Sequence, residues 1–450
     1  MASPVPKDDG GFGTISGFTS KTAAENKTAE IEADQRRGAF LDPDGGKLTL
    51  EEWSVTWFDA LDVAATTEAQ YRSLIRNHIL TRWGSTRLDG ISGLAVHTWA
   101  KKLRADGHAQ ATVTTITKLM SMMLVDAADE RLIAVNPIQP RRRGKRRHEI
   151  RIERVWATPE QVLGVAAQAA VLVGDWAAVL MITAAWTGAR WGELTGLQRR
   201  NTHLDDGIIV IDPHTAALHE VNGRLELGPP KTAESGRTIT LPPFLIHLLR
   251  THLASHDHSH VFVTSEGELL RRSNFARRAM RPAADGNHHR VRPRVRVHPI
   301  APGLVFHGFR HSHKTWLIAD GIPDVAQARR LGHRIPDKIE HIYSHVAPEI
   351  ETRLINALQH RWTTALHTLT HQTPSNTPAH GATRITRLTL PAATAPPTDL
   401  TAYPSPTTRP SPPQRRRPFV SPDHPQPHIF HSPPAVSNQP HRTPTALTGR

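Results

Sequence analysis

Residues 141–147 read Arg-Arg-Arg-Gly-Lys-Arg-Arg, six positive charges in seven positions, and no protein core can take such a run in. It must lie in solvent or along a polyanion, so the chain has to fold as separate parts on either side of it. The formal charge of +14 likewise points to a polyanionic partner. A second divider lies near residue 370. Half of the 36 prolines fall after it, mixed with Thr, Ser, His and Arg and without apolar periodicity, which predicts a disordered tail over 373–450.

The parts between these dividers are patterned for burial. Thr49-Leu-Glu-Glu52 has the spacing of a capping box, and Leu50, Trp53, Trp57 and Leu61 follow at helical intervals. Tyr71, Leu74, Ile75 and Ile79 form a second stripe; Val113, Ile116, Met120, Met123, Leu124 and Ala127 form a third, stopped by Asn136-Pro137. These stripes predict a helical domain over 48–137. Beyond a basic linker at 138–155, Thr158-Pro-Glu-Gln161 opens a second domain, 156–372, with an N-cap followed by proline at the first helical position. The apolar stretch Val162–Trp186 is interrupted by Gln168, Gly174 and Asp175, so it predicts two buried helices and no membrane span. Gly207–Asp212 and Arg224–Leu241 read as a short β-rich stretch, the latter with Lys231 in a hairpin that turns near Glu234-Ser-Gly236, and 1–47 as a polar helix with little ahead of it. The fold class is mainly α with a small β-sheet. The chain has no cysteine, which excludes disulfides and thiolate metal sites and fits an intracellular location.

The second domain carries the chemistry. In order it contains Thr187-Gly-Ala-Arg190, Lys231, His307-Gly-Phe-Arg310, Leu331-Gly-His333 and His341-Ile-Tyr343-Ser-His345, where Tyr343 is one of only three tyrosines. A tyrosine hydroxyl, with its pKa near 10, attacks phosphorus only when held in line while cations stabilise the developing charge. Guanidinium forks such as Arg190 and Arg310 match non-bridging phosphate oxygens and keep their charge. Lysine and histidine can move protons, the lysine because its pKa is tunable and the histidine because it titrates near neutrality. Each residue also has an ordinary reading. Arg190 could pair with Glu193 as a surface interaction, Lys231 could be a solvated hairpin lysine, and Tyr343 an interfacial aromatic. The order and spacing favour the joint reading, with His333 falling 23 residues after Arg310 and ten before Tyr343. No His-Glu-x-x-His or P-loop pattern is present among the 29 histidines or elsewhere, so no metal, cofactor or ATP is expected.

Taken together, these motifs resemble the tyrosine recombinase (phage integrase) family over residues 48–370. Thr187–Leu197 matches Thr-Gly-x-Arg-x-x-Glu-Leu at every fixed position; His307–Arg310 matches His-x-x-Arg, with Gly308 in place of the more usual acidic residue, which implies a local change at the helix start. The resemblance implies a helical core-binding domain and a mixed catalytic domain forming a C-shaped clamp on DNA, with the small arm-binding domain truncated or absent. It implies Tyr343 as nucleophile and Arg190 and Arg310 as phosphate ligands. Lys231 would be the proton donor to the leaving 5′ hydroxyl, His307 a general acid or base, and His333 a restraint on the phosphate and tyrosine.

It further implies strand exchange by a homotetramer on double-stranded attachment sites through a Holliday junction, with exchange of a segment such as Pro348–His367 between protomers. A host DNA-bending protein and an excisionase are possible accessory partners, and the setting is cytoplasmic and nucleoid-associated. Arg141, Arg142, Arg143, Lys145, Arg146 and Arg147 would track DNA phosphates, with Arg237 a secondary contact. His288–His298, with its Arg/Val alternation, is either a β-ribbon reading a groove or, preferably, a non-specific phosphate clamp. The rival readings are a dimer-resolving or transposon recombinase of the same superfamily, and a catalytically inactive DNA-binding relic.

Overall fold

The computed structural model describes residues 2–6, 12–16, 19–36, 45–139, 153–334 and 346–371. Tyr343, the basic run 141–147 and the tail 373–450 lie outside the described residues. The fold is mainly helical with small antiparallel sheets. Among the described residues, no helix is long and apolar enough to cross a membrane.

At the N-terminus β1 (Ala2–Pro6) pairs with β2 (Phe12–Ser16), followed by α1 (Lys21–Arg36). The sequence predicts the helix but not the hairpin, because Ala-Ser-Pro-Val-Pro carries neither alternation nor β-branched density.

Residues 45–139 share one apolar core. α2 (Leu50–Asp59) starts at the Thr49/Glu52 capping box, with Glu52 N donating to Thr49 Oγ1 and Thr49 N to Glu52 Oε2. α3 (Ala65–Leu74) has no fully buried residue, though Tyr71 and Leu74 pack half-buried against the core. It runs through a π-helical turn, Ile75–Ile79, into α4 (Leu80–Trp83), and burial begins at Ile75 and Ile79. α5 (Gly93–Ala105) and α6 (Gln110–Asp129) complete the set, and Ile116, Met120, Met123 and Leu124 fill the centre. The indole N–H groups of Trp53 and Trp57 donate to Met123 O and Asp126 Oδ2, so these large rings are buried without orphaned donors.

The second core begins with α7 (Pro159–Val173), capped by the Thr158/Gln161 box, and α8 (Asp175–Thr187). From Ala177 to Thr187 every residue of α8 is buried, as expected for a helix apolar on all sides. Trp186 sits among Trp316, Phe244 and Trp362 with ring centroids 5.0–5.5 Å away, and its Nε1 donates to Leu358 O. A left-handed Gly188 ends α8 and turns the chain toward α9 (Trp191–Thr195).

Three strands follow in the order β3 (Thr202–His203), β4 (Ile208–Ile211) and β7 (Arg237–Thr240), with Ile209 opposite Ile239 and Ile211 opposite Arg237. Between β4 and β7 lies a separate hairpin, β5 (Ala217–Val221) and β6 (Arg224–Gly228). Lys231 was expected in a hairpin of its own turning near Glu-Ser-Gly. It lies instead in the connection from β6 to β7, which contains a 3-10 turn at Ala233–Ser235. The true turn is Asn222-Gly223, with both φ angles positive as a two-residue type I′ turn requires. After α10 (Pro243–Ala254), α11 (Arg272–Phe275) passes through a second π-helical turn, Ala276–Met280, into α12 (Arg281–Asp285).

The His288–His298 segment contains no strand. Asn287 ties it down by donating to Val295 O and accepting from Val297 N, while Gln168 pairs with the His298 backbone. Arg290, Arg292, Arg294 and Arg296 remain exposed along it.

α13 (Phe306–Ala319), α14 (Asp324–Leu331) and α15 (Pro348–His371) close the fold. Leu354, Leu358, Trp362 and Ala365 are buried in the chain's own core, and Trp362 stacks on Phe244 at 4.0 Å. Trp362→Ala is expected to cost about 3–5 kcal/mol in urea denaturation. A loss below about 1 kcal/mol would mean that α15 is not part of this core.

Candidate active site

Three elements bring the sequence-predicted arginines together, and a fourth holds them. Arg190 follows the buried α8, Arg310 projects from α13 and Arg237 begins β7. The fourth is the C-terminal end of α14, where the last carbonyls of a helix lack intrahelical partners. Here three successive ones are taken by three arginines. Arg237 Nε donates to Arg330 O at 2.7 Å, Arg310 Nη2 to Leu331 O at 2.5 Å, and Arg190 Nη2 to Gly332 O at 3.3 Å. Arg310 Nη1 reaches back to Gly188 O at 2.7 Å. Thus the glycine of the first motif orients the arginine of the second, and the glycine of Leu331-Gly-His333 orients Arg190.

Both glycines are required by geometry. Gly188 and Gly332 have φ of +66° and +64°. A Cβ on Gly188 would meet Leu331 Cδ2 at 2.6 Å, and one on Gly332 would meet Glu234 O and Ser235 Cα at 3.0 Å. Gly308 is tight for a different reason, since a Cβ there would come within 2.6 Å of Leu304 Cδ1 and 3.1 Å of Val155 O. The chain crosses the start of α13 too closely for the acidic side chain usual at that place.

Glu193 is the counter-charge. It is 1 % exposed, accepts from Arg190 N and Nη1 at 2.9 and 2.7 Å, and accepts from Arg237 Nη2 at 2.9 Å. Burial alone would raise its pKa, but Arg237 and Arg190 together hold it below the ordinary 4.5. Arg190 also donates to Ser235 Oγ. Its side chain keeps 21 % exposure, while Arg310 is 5 % exposed and Arg237 6 %. Burial, with Arg190 and Arg237 beside it, brings Arg310 down to about 9.

His307, in the first turn of α13, lines an open cleft of ≈ 450 Å³ with Arg190, Glu193, His219, Lys231 and Arg272. Lys231 is exposed there. Partial desolvation, then His311, Arg310, Arg154 and Arg272, lower His307 to about 4. His333 is also lowered to about 4, by partial desolvation and the charges of Arg310, Lys314, Arg190 and Arg237. Both imidazoles are therefore neutral at pH 7 in the free protein. The cleft is mainly cationic, with Glu193 buried under Arg190 and Glu220 paired to Arg271 at its edge, and is suited to an anion. Tyr343 belongs to the segment between His333 and Val346, outside the described residues.

Residues 161–349 match the profile of the phage integrase family. These residues form a domain of the tyrosine recombinase (phage integrase) family. A putative prophage phiRv2 integrase of Mycobacterium tuberculosis is 28 % identical over 322 residues, covering 70 % of this chain and 80 % of that protein. The integrase of Mycobacterium phage L5 is 25 % identical over 296 residues, covering 64 % and 73 %. A solved structure of the Tn1549 transposon integrase in complex with circular intermediate DNA has a TM-score of 0.51 at 16 % identity, and covers 68 % of this chain and 98 % of that one. At that identity the likeness is one of fold.

Two residues of this cluster play a larger part than the sequence pattern implied. Glu193 was weighed as a surface partner of Arg190, although one carboxylate within a Gly-Ala-Arg-Trp-Gly-Glu-Leu stretch beside a buried helix is placed for burial. Arg237 was assigned a secondary DNA contact, yet its side chain is only 6 % exposed and three of its donors go to Glu193, Arg330 O and Ser235 O.

Glu193→Gln is expected to lose about 3–5 kcal/mol at pH 7, because Arg237 keeps a buried charge without its partner. With a folded pKa below 4.5, the Glu193 contribution is complete above pH 4.5 and vanishes as pH falls through the folded value. The stability gap between wild type and variant, followed by chemical denaturation, should therefore close in acid. A gap independent of pH would contradict the ion-pair account.

Proposed function

We propose that this chain is a site-specific DNA recombinase that cuts and rejoins strands through a 3′-phosphotyrosyl intermediate, integrating or excising a phage or other mobile element. The observation that carries this reading is the clustering of Arg190 and Arg310 beside Lys231, His307 and His333, with each guanidinium held internally and still able to bind outward. A guanidinium has five N–H donors. Among the described residues Arg310 engages two of them, leaving three, and Arg190 engages three, leaving two. Those donors are what two non-bridging oxygens of a scissile phosphate need.

In the proposed reaction the Tyr343 oxygen forms a bond to phosphorus as the bond to the 5′ oxygen breaks. His307 accepts or relays the phenolic proton, and Lys231 gives a proton to the departing 5′ oxygen. Arg190, Arg310 and His333 stabilise the charge on the non-bridging oxygens. His307 and His333 are depressed first by desolvation and then by neighbouring cations; a phosphodiester anion would offset the second effect and raise both toward a value useful for proton transfer and hydrogen bonding. The phosphotyrosyl bond retains the energy of the broken diester, so rejoining by a 5′ hydroxyl needs no nucleotide. Acting as a homotetramer on double-stranded attachment sites, the enzyme would pass through a Holliday junction. Residues 48–137 with the basic segment 141–147, and the exposed arginines of 290–296, would hold phosphates around the site.

Tyr343→Phe should bind nicked duplexes taken from DNA flanking the gene as tightly as wild type, yet give no protease-sensitive covalent adduct on a denaturing gel. Adduct formation by the variant would remove Tyr343 as nucleophile. Binding without adduct by both proteins would favour an inactive DNA-binding relic.

A further inference from the structure

The three carbonyls that collect the arginines are only as well placed as the helix end that bears them, and that end is fixed by the Arg330 side chain. Its guanidinium is 4 % exposed and forks three ways. Nη2 donates to Trp186 O at 3.0 Å, Nη1 to Thr240 O at 3.0 Å and Nε to His313 Nε2 at 3.0 Å. These acceptors lie on α8, β7 and α13, the elements that respectively lead into Arg190, begin with Arg237 and carry Arg310. One residue thus ties α14 to each element whose arginine its own C-terminal carbonyls receive.

His313 completes the tie. It is fully buried, and its Nδ1 lies 2.9 Å from Ala185 O. A carbonyl only accepts, so Nδ1 carries the hydrogen and Nε2 presents its lone pair to Arg330. Desolvation, then the Arg330 charge, keep this ring well below 6.5 and neutral. Two further charges act on the guanidinium, Glu351 at 3.8 Å from Nη1, which favours its charged form, and Arg237, which opposes it. Burying an arginine on mostly neutral acceptors costs several kcal/mol that an apolar side chain would not, so stability alone is a poor reason for it. What the fork supplies is direction, with three acceptors on three elements satisfied by one planar group.

We infer that Arg330, oriented by His313, is a positioning residue for phosphoryl transfer, setting the register of the Arg330–Gly332 carbonyls against Arg190, Arg237 and Arg310. This rests on the recombinase reading above. Neither side chain faces the cleft, so loss of the tie should change the rate of the chemical step more than DNA affinity.

The test is single-turnover adduct formation on nicked duplexes from DNA flanking the gene, measured with DNA affinity and thermal stability for full-length variants. Arg330→Lys keeps the charge but cannot reach three acceptors, and His313→Leu removes the acceptor for Nε. Each should slow adduct formation about tenfold to a hundredfold with affinity little changed. His313→Gln, whose amide oxygen can replace Nε2 as acceptor, should recover most of the rate. Leu249→Ala, a buried change in α10 away from the carbonyls, should destabilise the fold yet leave the rate of the folded protein near wild type. The inference is overturned if Arg330→Lys and His313→Leu react at the wild-type rate, or are slowed only in proportion to lost folded protein. It also falls if His313→Gln is as slow as His313→Leu. Those results leave the recombinase reading standing. A wild type that forms no adduct on any of these duplexes would sink that reading and this inference with it.

Discussion

The end of α14 is the point on which the site depends. Arg330, Leu331 and Gly332 present three consecutive carbonyls, and each receives a different arginine from a different part of the chain. A helix C-terminus carries partial negative charge and unsatisfied acceptors, so it can gather cations without a carboxylate at each one. That allows three guanidinium groups to stand close together with Glu193 as the only carboxylate bonded to them among the described residues. Burial first, and then this crowding of cations, lower the pKa values of Arg310, His307 and His333. A site held in this state before substrate arrives has little reorganisation left to do when negative charge develops on a phosphate.

The rest of the second core serves to fix that point. α8 is buried on every side and cannot shift without disturbing the cluster of Trp186, Trp316, Phe244 and Trp362. Its last residues supply acceptors at Ala185, Trp186 and Gly188 to His313, Arg330 and Arg310. Side chains and main chain are therefore braced reciprocally, motif against motif. Packing in α15 reaches the same place through Trp362, which links the rigidity of the site to a helix that follows Tyr343 in sequence.

Much of this was legible in the sequence, and the gaps have physical causes. Helix starts were readable because Thr49/Glu52 and Thr158/Gln161 are local signals whose partners lie three residues apart. The pairing of α7 and α8 followed from an apolar run broken by Gly174-Asp175. The β5–β6 hairpin was announced by Asn222-Gly223, but attention to Lys231 drew the turn toward Glu-Ser-Gly instead. Arg190 and Arg310 could be nominated because phosphate chemistry demands guanidinium groups. Arg330, His313 and the inward use of Arg237 could not, since their partners are carbonyls supplied by tertiary packing, and a carbonyl leaves no mark in the residue pattern. Glu193 stood between these cases, visible as a residue but not as a buried one.

The most direct test of the account is to identify the residue that carries DNA. Wild-type protein trapped on nicked duplex would be digested with protease and nuclease, and the nucleotide-bearing peptide sequenced by mass spectrometry. The account predicts a single modified site, a 3′-phosphonucleotide on Tyr343. Modification at Tyr71 or Tyr403, at a serine, or on the 5′ side of the break would contradict it.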